Sequence, residues 1–146
     1  QLVKLSWSRA VSVAAANLAY YRPQLLRALH SSCPEERSAA VVSFNEANEP
    51  DVHDDILRLL DDPDQVVRRE VVEYLEEFGI PSDCGRLLAH LETDPALRFS
   101  LTRALQKITG REAGLLDEDT SQAEVEQAIA GWRRYLATPK YLVNGR

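Results

Sequence analysis

Apolar positions recur along the chain at a spacing of about 31 residues, and several rows keep that spacing together. One set of rows has offsets of 31 and 31: Leu25/Ile56/Leu87, Leu26/Leu57/Leu88 and Leu29/Leu60/Leu91. A second set drifts by one residue: Arg37/Arg68/Arg98, Ala40/Val71/Leu101 and Phe44/Leu75/Leu105. Matching rows of this kind are the signature of a repeat architecture, in which each unit buries its apolar face against its neighbours.

Each unit predicts two helices separated by a polar break. In the middle copy, the first helix has apolar residues at Ile56, Leu57 and Leu60, and Asp61-Asp62-Pro63-Asp64 follow. The second helix has apolar residues at spacings of three and four, the period of one helix face: Val67, Val71, Leu75 and Phe78. We expect Asp62 and Asp64 to cap helix N–H groups, and Gly79 and Gly110 to end the second helices of two copies.

Both ends of the chain depart from the period. Residues 6–20 fit the second helix of a degraded earlier copy, so that Pro23 starts the next unit. Residues 111–120 read as an acidic loop, and Ser121 with Glu124 forms a capping box at the start of a last helix. That helix presents one apolar face, formed by Val125, Ile129, Trp132 and Leu136. It suits the terminal cap that a repeat stack needs.

The pattern of helix, Asp-Pro-Asp turn, Val-Arg, helix and Gly resembles the HEAT-like repeat family, specifically the short bacterial type called phycobilisome-lyase-like. The match is carried by two copies: Leu57–Leu60, Asp62–Asp64, Val67-Arg68, Val71, Leu75 and Gly79, then Leu88, Leu91, Asp94-Pro95, Leu97-Arg98, Leu101, Leu105 and Gly110. The first copy departs from it, with Ser31-Ser32-Cys33-Pro34 at the turn and Asn48 in place of Gly. The resemblance implies second helices on the concave side of a right-handed superhelix. It implies no common chemistry, because some members help attach chromophores, many are scaffolds and a few neutralise other proteins.

The predicted fold is therefore all-α, a right-handed α-solenoid of three to four HEAT-like helix pairs with a C-terminal capping helix. We expect one domain over residues 1–146. Its parts are a partial repeat or cap (1–22), three repeats (23–50, 51–79 and 80–110), an acidic loop (111–120) and a capping helix (121–137).

Charge and composition narrow the function. The chain has 146 residues and a net charge of −6, which argues against nucleic acid as a ligand. Residues 51–79 hold ten acidic and three basic side chains, so a protein partner with a basic patch is expected. No apolar run is long enough to span a membrane.

Two isolated cysteines suit free thiols in a reducing cytosol, so the expected location is cytoplasmic. Because Met is missing, we expect a processed piece or an excised domain.

No constellation in the sequence predicts catalysis. The three histidines, His30, His53 and His90, are far apart, and none lies in an H-x-x-x-H or C-x-x-C spacing. We therefore predict no catalytic residue, no metal, no cofactor and no enzymatic activity. Arg37, Arg68 and Arg98 have two interpretations: a basic ladder for an anionic ligand, or pairing with the acidic turns of neighbouring repeats, which their recurrence favours.

The predicted partner-binding surface is the strip of second-helix residues that lies off the apolar stripe. It comprises Arg69, Glu70, Glu73, Tyr74 and Glu77 in the middle copy and Phe99, Arg103 and Gln106 in the next. An acidic centre with an exposed aromatic side chain is typical of an interface. The leading hypothesis is a non-enzymatic scaffold or adaptor. The alternatives are a small acidic inhibitor or immunity protein that neutralises a basic partner, and an accessory chaperone or lyase-like protein.

Overall fold

The computed structural model describes residues 20–138, and within them every regular element is helical. The first helix, α1, covers residues 20–28. The others are α2 (Pro34–Glu46), α3 (His53–Leu57), α4 (Gln65–Phe78), α5 (Cys84–Thr93), α6 (Arg98–Thr109) and α7 (Gln122–Leu136). Short 3-10 turns cover Pro50–Val52, Arg58–Asp61, Pro81–Asp83 and Pro95–Leu97. The all-α prediction is confirmed for this part of the chain. Most of the partial repeat predicted over residues 1–22 lies outside the described residues.

The chain divides into two compact units, Gln1–Tyr74 and Leu75–Arg146, and α4 contributes residues to both. In unit 1 the predicted apolar rows form the core, with Leu29, Phe44, Ile56, Leu60 and Val71 almost completely buried. The described part of α1 begins at Tyr20, so the helix includes residues ahead of Pro23, where the pattern predicts the unit to start. None of the described helices is long and apolar enough to cross a membrane.

Of the repeating arginines, Arg37 pairs with the acidic turn of the neighbouring copy, as the structural interpretation expects, and Arg68 binds the backbone of the turn in its own copy. Arg37 donates from Nε and Nη2 to the two carboxylate oxygens of Asp62 at 2.8 and 2.9 Å, and from Nη1 to the Ser31 carbonyl at 2.8 Å. Arg68 donates to the backbone carbonyl oxygens of Asp62 and Pro63 at 2.8 and 3.1 Å. The Arg37–Asp62 pair therefore connects two successive copies within unit 1.

Asp62 is a buried carboxylate whose charge is held by these donors. Burial by itself would raise the pKa of Asp62. The hydrogen bonds from Arg37 and from the backbone N–H of Asp64, together with the positive charges of Arg37 and Arg68, outweigh burial and lower its pKa below the ordinary value. Asp64 in turn caps α4, because its side chain accepts from the backbone N–H groups of Val66 and Val67. The predicted capping role is thus confirmed for Asp64, whereas Asp62 accepts from the N–H of Asp64 ahead of α4 and therefore holds the turn instead of the helix end.

In unit 2, α5 packs against both α6 and α7. The predicted rows are again buried, and α7 adds Val125, Ile129 and Trp132 to the core. The capping box at the start of α7 is confirmed: the Glu124 backbone N–H donates to the Ser121 hydroxyl at 3.3 Å, and the Ser121 backbone N–H donates to the Glu124 carboxylate at 3.1 Å. Arg98 is also buried here and donates to the carbonyl oxygens of Leu91 and Thr120 at 3.1 and 3.2 Å.

The two glycines predicted as helix stops end their helices by different means. Gly110 has φ of 72°, the left-handed conformation that glycine adopts at helix ends without steric cost. In the first copy Asn48 takes this conformation instead, with φ of 54°. Gly79 does not have a positive φ. A Cβ added there would meet the Leu75 carbonyl oxygen and the Ile108 side chain, so this position requires glycine for close packing.

Candidate functional site

The predicted strip is distributed over the two units, and its α4 residues differ in exposure. Arg69 and Glu73 are exposed, and Glu70 is half-buried. Glu70 and Glu73 are three residues apart on the helix, close enough for their charges to interact. Burial, followed by the negative charge of Glu73, raises the pKa of Glu70 above its ordinary value. The positive charge of Arg69 acts in the opposite direction. Neither carboxylate forms an ion pair among the described residues, so this stretch of α4 presents two acidic side chains that no salt bridge neutralises.

Tyr74 does not belong to this surface, and its prediction as an exposed aromatic side chain was wrong. Its side chain is completely buried, and its hydroxyl donates to the Glu49 backbone carbonyl at 2.6 Å. Burial, followed by the negative charges of Asp51 and Glu49, raises the pKa of Tyr74 well above its ordinary value. The cause of the error is the width of the buried face of α4. Val72 and Tyr74 are buried together with Val71 and Leu75, whereas a single stripe at helical spacing predicts a narrower face.

In unit 2 the two charged residues of the strip, Glu77 and Arg103, each pair with a side chain outside the strip. Arg103 forms an ion pair with Glu76 at 2.5 Å, and Lys107 forms one with Glu77. The basic residues predicted beside the acidic centre therefore neutralise two of its acids. Glu77, although exposed, does not contribute free negative charge.

Phe99, unlike Tyr74, is an exposed aromatic residue of the predicted strip. It is 46% exposed, and the Arg103 guanidinium lies 5.9 Å from its ring centroid. This contact holds an apolar and a cationic group side by side on α6. Gln106 is half-buried, and its amide donates to the Ala113 backbone carbonyl. It thus holds the loop after α6 in place.

The described residues offer no arrangement typical of a catalytic or metal centre. They contain no group of three or more His, Cys, Asp or Glu side chains that could hold a metal ion. Cys84 is buried, and burial together with the charge of Asp83 raises the pKa of its thiol to about 11. A thiol with so high a pKa is a poor nucleophile at neutral pH.

One cluster in unit 2 was missed by the sequence analysis. The guanidinium of Arg111 lies over the rings of Trp132 and Tyr135, 4.7 and 5.2 Å from their centroids. Arg111 was assigned only to an acidic loop. The sole sequence signal was a cation directly after a helix-ending glycine, and nothing in the spacing connects it with aromatic residues more than 20 positions away.

Comparison with known proteins identifies a repeat family for the larger part of the chain. The sequence profile of HEAT repeats matches residues 22–113. The matched region begins close to the predicted first full copy and ends just beyond the Gly110 helix stop. No significant match to the chain was found among curated proteins or among solved structures.

Proposed function

Because the chain belongs to the HEAT-repeat family, we propose that it is a non-enzymatic protein-binding scaffold that recognises a partner with a basic patch through α4. Stacked helical repeats provide extended binding surfaces, and protein interaction is the general role of this family. The observation that carries the finer proposal is the pair of carboxylates that no salt bridge neutralises, Glu70 and Glu73, which we call the acidic α4 face. The other two acids near the end of α4, Glu76 and Glu77, are already paired.

The acidic α4 face suits a cationic partner for two reasons. Unpaired carboxylates attract lysine and arginine side chains over a distance of about 10 Å at moderate salt, which raises the association rate. In addition, burial and then the negative charge of Glu73 raise the pKa of Glu70, and a cation bound nearby would oppose both effects. Phe99, half-exposed on α6 of unit 2, is proposed separately as an apolar contact for a protein partner, since aromatic side chains are enriched at interfaces.

The test compares two charge reversals of the same size. Glu73→Lys changes the acidic α4 face, whereas Glu118→Lys makes the same change at an exposed loop residue whose side chain forms no hydrogen bond or ion pair with the described residues. Each variant is used as bait at low salt in extracts of the native host, and the affinity of each captured protein is then measured with purified components. We expect the partner to bind wild type and Glu118→Lys equally, and Glu73→Lys about 10-fold more weakly, as for the loss of one close charge pair. A partner that binds all three proteins equally and is insensitive to salt would show that the acidic α4 face is not the site.

The same experiment separates the scaffold from the inhibitor that the acidic charge also suggests. If the captured partner is a basic enzyme or toxin, its activity is assayed with and without this protein. Loss of its activity with wild type and retention with Glu73→Lys would assign an inhibitory role to the same surface. Unchanged activity in the complex supports a scaffold.

A further inference from the structure

The C-terminal part of unit 2 contains an open cavity that the proposed function does not use. It lies between the loop that follows Gly110 and helix α7, and its volume is about 370 Å³. Its walls combine apolar and polar groups. Ala113, Leu116 and Trp132 supply the apolar part, while Arg111, Arg134 and Gln127 supply hydrogen-bond donors.

Arg111 is the unusual member of this wall. Its Nη1 is buried and has no hydrogen-bond partner in the part of the chain that the structure describes. The guanidinium lies over the rings of Trp132 and Tyr135, and Nη2 lies 3.3 Å from the position that a Cβ on Gly131 would occupy. Glycine at residue 131 thus leaves the space that the guanidinium fills. An arginine fixed in this way has lost its side-chain freedom already, so binding an anion costs little further entropy.

The charges around the cavity select the kind of anion. Arg111 and Arg134 are cationic and Glu124 is anionic, so the lining carries a net charge of +1. This balance suits a monoanion better than a phosphate monoester, which carries close to two negative charges at neutral pH. The planar fork of arginine matches a carboxylate, and the apolar wall can cover a hydrocarbon body attached to it.

We propose that this cavity binds a carboxylate group carried on an apolar body, with Arg111 as its principal hydrogen-bond donor and Arg134 as a second cation. Two kinds of ligand carry such a carboxylate: a small free acid, and a peptide chain with a free C-terminus. The site is separate from the acidic α4 face in chemistry, because it attracts anions and that face attracts cations.

Trp132 provides the readout, since it lies both in the cavity wall and under the Arg111 guanidinium. The chain has two tryptophans, so Trp7→Phe leaves Trp132 as the only one, and excitation at the long-wavelength edge of tryptophan absorption avoids the five tyrosines. In this background, fluorescence is titrated at constant ionic strength with phenylacetate, with the neutral phenylacetamide, with inorganic phosphate, and with a Gly-Leu peptide bearing either a free or an amidated C-terminus. We expect saturable changes with phenylacetate or with the free-terminus peptide, and none with the two amides, which lack a carboxylate. The tighter of the two carboxylates identifies the source.

Variants of neighbouring residues test the assignment. Arg134→Gln should weaken carboxylate binding by about 3-fold to 10-fold, as for a partly solvated charge contact, whereas Arg133→Gln, the same change one residue earlier and outside the cavity lining, should leave it unchanged. Arg111→Lys keeps the charge but loses the fork, and about a 10-fold loss is expected. Equal binding of acid and amide, binding of phosphate alone, or no saturable change with any probe would overturn the proposal. In the last case Arg111 is only a stacking partner of the two rings.

Discussion

Replacement of Gly79 by alanine gives opposite expectations from helix propensity and from packing, so its sign is informative. Gly79 follows the last residue of α4 and does not have a positive φ. On conformational grounds alone, Gly79→Ala should stabilise the protein by about 0.4–1 kcal/mol, because alanine restricts the unfolded chain. The surroundings predict the reverse. A Cβ at this position would lie 2.5 Å from Ile108 Cδ1 and 2.9 Å from Ile108 Cγ1, and would also collide with the Leu75 carbonyl oxygen.

The magnitude follows from which neighbour can move. Ile108 is half-buried, so its side chain can rotate away at a modest cost. The Leu75 oxygen cannot, because it belongs to the helix backbone and accepts the Gly79 N–H at 2.7 Å. Overpacking of this kind costs about 1–3 kcal/mol, and the rigid backbone oxygen places Gly79→Ala in the upper part of that range. After subtraction of the conformational gain, we expect a net loss of about 2 kcal/mol in the free energy of unfolding.

Urea denaturation followed by far-ultraviolet circular dichroism measures this loss. With a slope of about 2 kcal/mol/M, the midpoint should fall by about 1 M. Gly85→Ala is the matched control, because a Cβ there has no neighbour within 4 Å and Gly85 lies inside α5. It should raise the stability by up to about 1 kcal/mol. Ile108→Val removes the Cδ1 atom and should therefore be less costly in the Gly79→Ala background than in wild type. The packing argument is refuted if Gly79→Ala is as stable as Gly85→Ala. It is also refuted if the stability losses caused by Gly79→Ala and by Ile108→Val simply add in the double variant.

Two further predictions concern buried polar contacts of unit 1. Asp62→Asn should destabilise the protein at neutral pH. Because the folded-state pKa of Asp62 is lowered, its contribution is present above the ordinary aspartate pKa of about 4 and is lost as the pH falls through the folded value. The difference in urea midpoint between wild type and Asp62→Asn should therefore become smaller on acidification. A difference that stays constant with pH would contradict the assigned ionisation. Asp119→Asn, at an exposed loop residue, is the control. Tyr74→Phe removes the hydroxyl that donates to the Glu49 carbonyl while keeping the ring, and should cost about 1 kcal/mol by thermal or urea unfolding. A surface role for Tyr74 would leave stability unchanged.

The repeat and its local signals could be predicted from the sequence. The rows of apolar residues at constant spacing became the buried cores of both units, from Leu29, Ile56 and Leu60 in one to Leu87, Leu101 and Leu105 in the other. The capping box of Ser121 and Glu124 and the left-handed Gly110 also follow the pattern. These features depend on interactions within a few residues, or on a period that repeats the same interaction, so residue order alone specifies them.

The candidate site depended on contacts that residue order does not specify. Glu73 and Glu77 look alike in the sequence, yet Lys107, 30 residues away from Glu77, pairs with one and not the other. Helical spacing places Tyr74 off the apolar stripe, but a neighbouring turn brings the Glu49 carbonyl to its hydroxyl and the whole side chain is buried. Arg111 meets Trp132 and Tyr135 only because α7 folds back against the loop after α6. Helical periodicity states which residues share a face, whereas the tertiary structure decides how wide the buried face is and which distant charges meet, and those two properties determine the surface left for a partner.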